Sequence, residues 1–208
     1  MSEAAPTTTH TLMEAASRAL AAMDYLTCEA RCLEALAQAR AAGAWAEYAR
    51  ILLPLQEARR QRRMIACDAG VWTVGQPADL DRVPEAGCVV VLPPMTAPDA
   101  AQLEADAHAA RRHVEVLHVT SDPAAAQWSV ASFRGPSVAC ALPAPANQHP
   151  DVRWYLEAGE TLGDAAIAQV EADGDAPPGS VRRVDRLQAM LAVVVDHEKL
   201  HQRLGDAA

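Results

Sequence analysis

The sequence predicts an α/β protein in which helical N- and C-terminal segments flank a small central mixed sheet containing a βαβ unit. Three observations carry this expectation. Half of the 208 residues are apolar, yet only 4% are aromatic and Phe133 is the one phenylalanine. Alanine makes up the difference, and it is the strongest helix former. Apolar residues recur at three-to-four spacing near both ends of the chain, whereas the middle carries short β-rich runs bounded by turn residues. This composition excludes collagen-like, mucin-like and disulfide-scaffold proteins, and it is too apolar for wholesale disorder. No window approaches 18 uninterrupted apolar residues, so no membrane span is expected.

The elements follow in order. Residues 1–9 read as a short disordered lead, and the helical segment covers 10–64. Leu12, Ala16, Ala19, Leu20 and Met23 mark its first helix. Asp24 is a plausible N-cap for a second helix carrying Leu26, Ala30, Leu33 and Ala37, which Gly43 would end. A third begins near Trp45 with Tyr48, Ile51, Leu52 and Leu55, and Pro54 is expected to kink or divide it because it lacks the amide its turn needs. The connection around Gly43 is so short that these two helices must pack antiparallel.

A small α/β sheet unit is expected over 65–145. Val71–Val74 is one candidate strand, 88–92 is a buried strand between Gly87 and Pro93-Pro94, and 114–119 is another. The helix between them, over 99–112, presents Ala100, Leu103, Ala107 and Ala110, so strand, helix and strand form a βαβ unit with parallel strands. Runs 128–133 and 137–142 flank Arg134-Gly135-Pro136 as a hairpin. The C-terminal helical segment covers 150–206, with one stripe through Tyr155, Leu162 and Val170 and another through Val184, Leu187 and Leu191. The loop 173–179 separates them, and Asp196 is a candidate cap for a final turn. All three segments are expected to pack as one unit.

Net charge is −9, from 18 basic and 27 acidic residues. An acidic surface repels phosphate backbones, so neither nucleic acid nor a membrane is an expected partner. The first eleven residues lack the charged and apolar regions of a signal peptide, and five cysteines without regular spacing do not form a secreted framework. A cytoplasmic protein with reduced thiols is the expectation. Lys199 is the one lysine, and the arginine and alanine load reads as high-GC bacterial coding.

The stretch from Ala35-Leu36 through Gly43, Trp45, Tyr48, Leu52 and Ala58 resembles one tetratricopeptide-type helical hairpin. Trp154 through Ala158 and Leu162-Gly163-Asp164-Ala165 resembles the first helix of another. No 34-residue period recurs, and Pro54 departs from the pattern. The resemblance implies a helical surface that binds protein or peptide.

Four sets of residues are candidates for chemistry. His197-Glu198-Lys199-Leu200-His201 matches H-E-x-x-H and resembles the zincin helix, where His197 and His201 would share a zinc and Glu198 would polarise its water. Lys199 is foreign to that pattern, and with seven residues after His201 a third ligand is expected only from upstream, for instance Cys88 or Cys140. Without that context these are two histidines on a C-terminal helix, and no metal or other cofactor is expected. Cys28 and Cys32 share a helix face and read as buried thiols, or as half of a closed zinc site with the two histidines. The basic run 59–63 reads as a solvated helix end, or as a phosphate-recognising patch. Finally, ligands of open parallel sheets bind beyond the carboxyl ends of strands, which singles out Thr96, Asp99, Thr120, Ser121 and Asp122. No glycine-rich phosphate cradle accompanies them, and Ser and Asp are also ordinary turn residues.

The expected role is therefore a non-catalytic interaction or scaffold protein of the bacterial cytosol, with an unidentified protein partner and no prediction of oligomeric state. The alternatives are a zinc-dependent hydrolase using the terminal motif and a small-molecule-binding regulatory domain built on the strand ends.

Overall fold

The computed structural model describes residues 8–208. The lead expected over 1–9 lies outside the described residues as far as position 7, and Thr8 and Thr9 already begin a helix. Thr8 caps α1 (Thr9–Ala21) in a reciprocal box with Thr11. Asp24 caps α2 (Tyr25–Ala42) by accepting from the Thr27 amide, and Gly43 ends it at φ 66°, the left-handed conformation that a side chain would resist. After Ala44, α3 (Trp45–Ala69) runs as one helix with Pro54 inside it. Pro54 therefore does not divide the helix. Its carbonyl takes the Cys28 thiol at 3.8 Å, where α2 lies along α3.

The sheet comprises β1 (Val71–Val74), β2 (Ala86–Val91), β3 (His113–Val119), β4 (Gln127–Ala131) and β5 (Ala139–Pro143), in that spatial order. Strands β1, β2 and β3 are parallel, and β4 and β5 are added antiparallel. Helix α4 (Ala97–Ala109) makes the crossover from β2 to β3, so the βαβ unit is present with Val89 paired to Val116. Alternation along the strands sorts the two faces. Val89, Val91, Val114 and Val116 meet Ala100, Leu103 and Ala107 of α4. Cys88, Val90, Leu117, Val119 and Trp128 face the terminal helices instead.

Those helices are α1 to α3 with α5 (Val152–Glu171), α6 (Val181–Met190) and α7 (Glu198–Ala207). Leu12, Leu36, Leu52, Trp128, Leu162, Leu187 and Leu204 belong to one apolar cluster, so both chain ends share a core with one face of the sheet. The rings of Trp128 and Trp154 meet edge to face at 5.2 Å, and Arg40 of α2 grips Asp185 of α6 through two hydrogen bonds of 2.7 and 2.8 Å. Because α3 both continues past position 64 and packs against β2 and β3, it carries side chains from the helical layer into the sheet. Among the described residues, no helix is long and apolar enough to cross a membrane.

Candidate functional site

The inward stripe of α3 runs Tyr48, Ile51, Leu52, Leu55, Ala58, then Arg59, Arg62 and Ala66. Two arginines thus occupy core positions. The basic run 59–63 is not a solvated end: Arg59 and Arg62 are buried, at 5% and 1% exposure, and only Arg60 is turned outward to Glu57. Buried guanidinium groups need anions. Glu29 of α2 accepts from Arg59 Nε at 2.7 Å and also from Arg62. The far side of Arg62 donates to Glu115 of β3 at 2.8 Å and to His108 Nε2 of α4 at 2.7 Å. Arg59 donates to the Val195 carbonyl at 2.9 Å and lies 3.4 Å from His201 Nε2. One arginine pair therefore joins α2, α3, β3, α4 and α7.

Guanidinium only donates, which fixes both histidines as neutral acceptors on Nε2. Burial and the neighbouring arginines hold His108 and His201 down to about 4. Burial acts to raise Glu29, but Arg59 and Arg62 overcome it and bring its carboxyl to about 2. Glu115 goes the other way. Complete burial outweighs Arg62, with Asp196 and Glu29 adding repulsion, and its carboxyl rises to about 7.

Behind Glu115 lies a small cavity whose lining mixes Arg63, Arg134, Tyr155 and Asp196 with valines and leucines. Arg63 pairs with Asp196 at 2.8 Å, and Arg134 pairs with Glu104 and donates to the Ala192 carbonyl at 2.5 Å. The volume is about 30 Å³, room for a water molecule or two and far below that of a metabolite site. On the opposite side, between α2 and α4, a surface groove of about 460 Å³ opens over Leu26, Ala30 and Leu33. Glu29 and His108 line it too, so the buried network reaches the groove. Leu33 remains 43% exposed, while Arg31 pairs with Glu34 at 2.9 Å and Arg111 pairs with Asp24 along the rims.

The sequence candidates are placed differently. Thr96 and Asp99 come together as the capping box of α4, joined at 2.7 Å. Asp122 accepts from the Ala124 amide at 2.8 Å, Ser121 from the Ser129 amide at 3.0 Å, and Thr120 donates to the Ser129 carbonyl. These polar atoms are thus engaged in caps and turns. At the chain end, His197 is the N-cap of α7, accepting from Leu200 N on Nδ1, with Nε2 facing Glu160 and Asp164 at 3.4 and 3.5 Å. Asp196, expected as a cap, instead pairs with Arg63. His201 donates from Nδ1 to the His197 carbonyl at 3.0 Å and turns Nε2 to Arg59. Glu198 is exposed and accepts from Gln202. The two imidazoles address different partners, one carboxylate and one cationic. Among the described residues, no three His, Cys, Asp or Glu side chains converge on a metal position. Cys28 and Cys32 are fully buried in the helical core.

Sequence reasoning missed the ion network. The signal was present: Arg59 and Arg62 continue the apolar stripe of α3, Glu29 that of α2, and Glu115 interrupts the apolar run from Val114 to Leu117. Compared with models of protein families, with curated proteins and with solved structures, the chain matches none.

Proposed function

We propose that the protein is a non-catalytic interaction module of the bacterial cytosol, which docks an amphipathic helix of a protein partner in the groove between α2 and α4. The groove itself carries the reading. It is about 460 Å³ and open, against about 30 Å³ for the cavity behind Glu115. Leu26, Ala30 and Leu33 stand at i, i+4 and i+7 on α2, the spacing at which helix-in-groove contacts repeat. The rim charges are paired within the chain, so the attraction on offer is apolar. The tetratricopeptide resemblance of α2 and α3 implies a helical surface of this general kind, and five free thiols suit a reducing compartment.

The test places a photo-crosslinking residue at Ala30, which lines the groove, and combines it with Leu33→Asp. A partner crosslinked from position 30 should be lost when Leu33→Asp is added and retained when Leu53→Asp is added instead, which alters an exposed leucine of α3. Capture that survives Leu33→Asp with unchanged yield overturns the proposal.

A further inference from the structure

The Cys67 and Cys88 thiols lie 3.7 Å apart, one on the last turns of α3 and the other on β2. They are 21 residues apart in sequence, and nothing in their spacing suggests a pair. A disulfide needs its sulfurs at about 2.05 Å, so closure asks for a side-chain adjustment of under 2 Å. The two differ in access: Cys67 is partly exposed, whereas Cys88 is fully buried. Cys28 and Cys32 also share a helix face, but both are at 0% exposure and no oxidant reaches them.

We infer that Cys67 and Cys88 form a two-electron redox site, with Cys67 the thiol attacked by hydrogen peroxide and Cys88 the thiol that resolves it to a disulfide. The Cys67 thiolate attacks one peroxide oxygen; the O–O bond breaks and hydroxide leaves, taking a proton to become water. Cys67 is then a sulfenic acid. The Cys88 sulfur attacks the Cys67 sulfur, the S–O bond breaks, and the Cys88 proton leaves with the hydroxyl as a second water. Two thiols and one peroxide give one disulfide and two waters. A dithiol reductant reverses the step by exchange.

The surroundings suit this division. The Cys88 thiol, donating toward Cys67, holds Cys67 below the ordinary thiol value, and Arg63 one turn earlier on α3 acts in the same sense against Asp196 and Asp68. Sharing its proton with Cys67 and burial push Cys88 up. The exposed member is the better nucleophile, and the buried one keeps its proton until the sulfenic acid forms.

The experiment treats the full chain with one equivalent of hydrogen peroxide and reads mass, free thiols and peptide maps. The expected result is a loss of 2 mass units, a fall from five free thiols to three, and a single 67–88 crosslink that dithiothreitol reverses. Cys88→Ser should instead trap a Cys67 sulfenic acid that reacts with dimedone, and Cys67→Ser should leave the remaining thiols unoxidised. Addition of oxygen at Cys67 without the crosslink, or a crosslink between other cysteines, overturns the inference.

Discussion

Arg62 of α3 donates to Glu115 of β3 at 2.8 Å, and the two side chains are 1% and 8% exposed. This contact ties the helical layer to the middle of the sheet, and the same guanidinium also serves Glu29 and His108. Glu29 and Glu115 were both taken from water for an arrangement that depends on the arginine.

Removing Arg62 should therefore be far costlier than neutralising Glu115. Arg62→Met leaves Glu29 with Arg59 alone and takes from Glu115 its cationic partner, and the expected loss is about 3–5 kcal/mol in urea unfolding. Glu115→Gln keeps an acceptor for Arg62 while removing a charge that burial disfavours, so its cost should stay below about 1 kcal/mol at pH 8. Equal effects of the two substitutions would show that the guanidinium is not the hub.

Stability should rise with pH between about 5 and 6. His108 and His201 sit at about 4 in the folded chain against an ordinary 6.5, so unfolding takes up a proton at each in this window. Their contribution is complete above 6.5 and is lost as pH falls through 4. Glu115, at about 7 against 4.5, contributes in the opposite sense: it favours the fold below 4.5, and that gain is lost as pH rises through 7. Two protons taken up and one released leave a net uptake near one, a slope of roughly 1.4 kcal/mol per pH unit. His113 and His118, also held low by burial, steepen it, and Asp196, which burial raises, flattens it. Urea midpoints across this range measure the slope. His108→Gln with His201→Gln keeps acceptors for the arginines and should reduce the proton uptake by about two. An unchanged slope would refute the assignment.

Much of the architecture was legible in the chain, because its signals are local. Asp24 and Gly43 mark the ends of α2 by capping chemistry, and apolar runs between turn residues mark β1, β2 and β3. The network was not legible in the same way. A run of arginines reads as solvated unless each is placed on the helical wheel, and Glu29, His108 and Glu115 come from elements far apart in sequence. The surroundings of the H-E-x-x-H string were hidden for a related reason. Its spacing is right, but His197 caps the helix, and Arg59, from 142 positions away, occupies the lone-pair direction of His201.

That last contact makes zinc binding unfavourable. A cation 3.4 Å from His201 Nε2 repels a divalent ion, and the Nδ1 lone pair of His197 already serves the Leu200 amide. Adding zinc at about tenfold excess should leave the thermal midpoint unmoved, since a ligand stabilises only by binding the folded state. A midpoint that climbs with zinc, and does so less in His201→Gln, would restore the metal reading.

The close approach of α5 to α7 gives the sharpest steric test. A Cβ built on Gly163 would overlap the His197 ring and stand 2.7 Å from its Nε2, closer than side chains approach. The ring cannot retreat, because it is fully buried and its Nδ1 caps α7. Gly163→Ala must push α7 from α5, and overpacking of this kind costs about 1–3 kcal/mol. Gly159 lies one turn earlier on the same helix, where an added Cβ meets nothing within 4 Å. There the substitution relieves the helix of a flexible residue and should stabilise by about 0.5–1 kcal/mol. Thermal or urea unfolding of the two variants reads opposite signs from one substitution on one helix. If both destabilise alike, α5 itself rejects alanine; if neither does, α7 is free to shift and the His197 cap is not held as described.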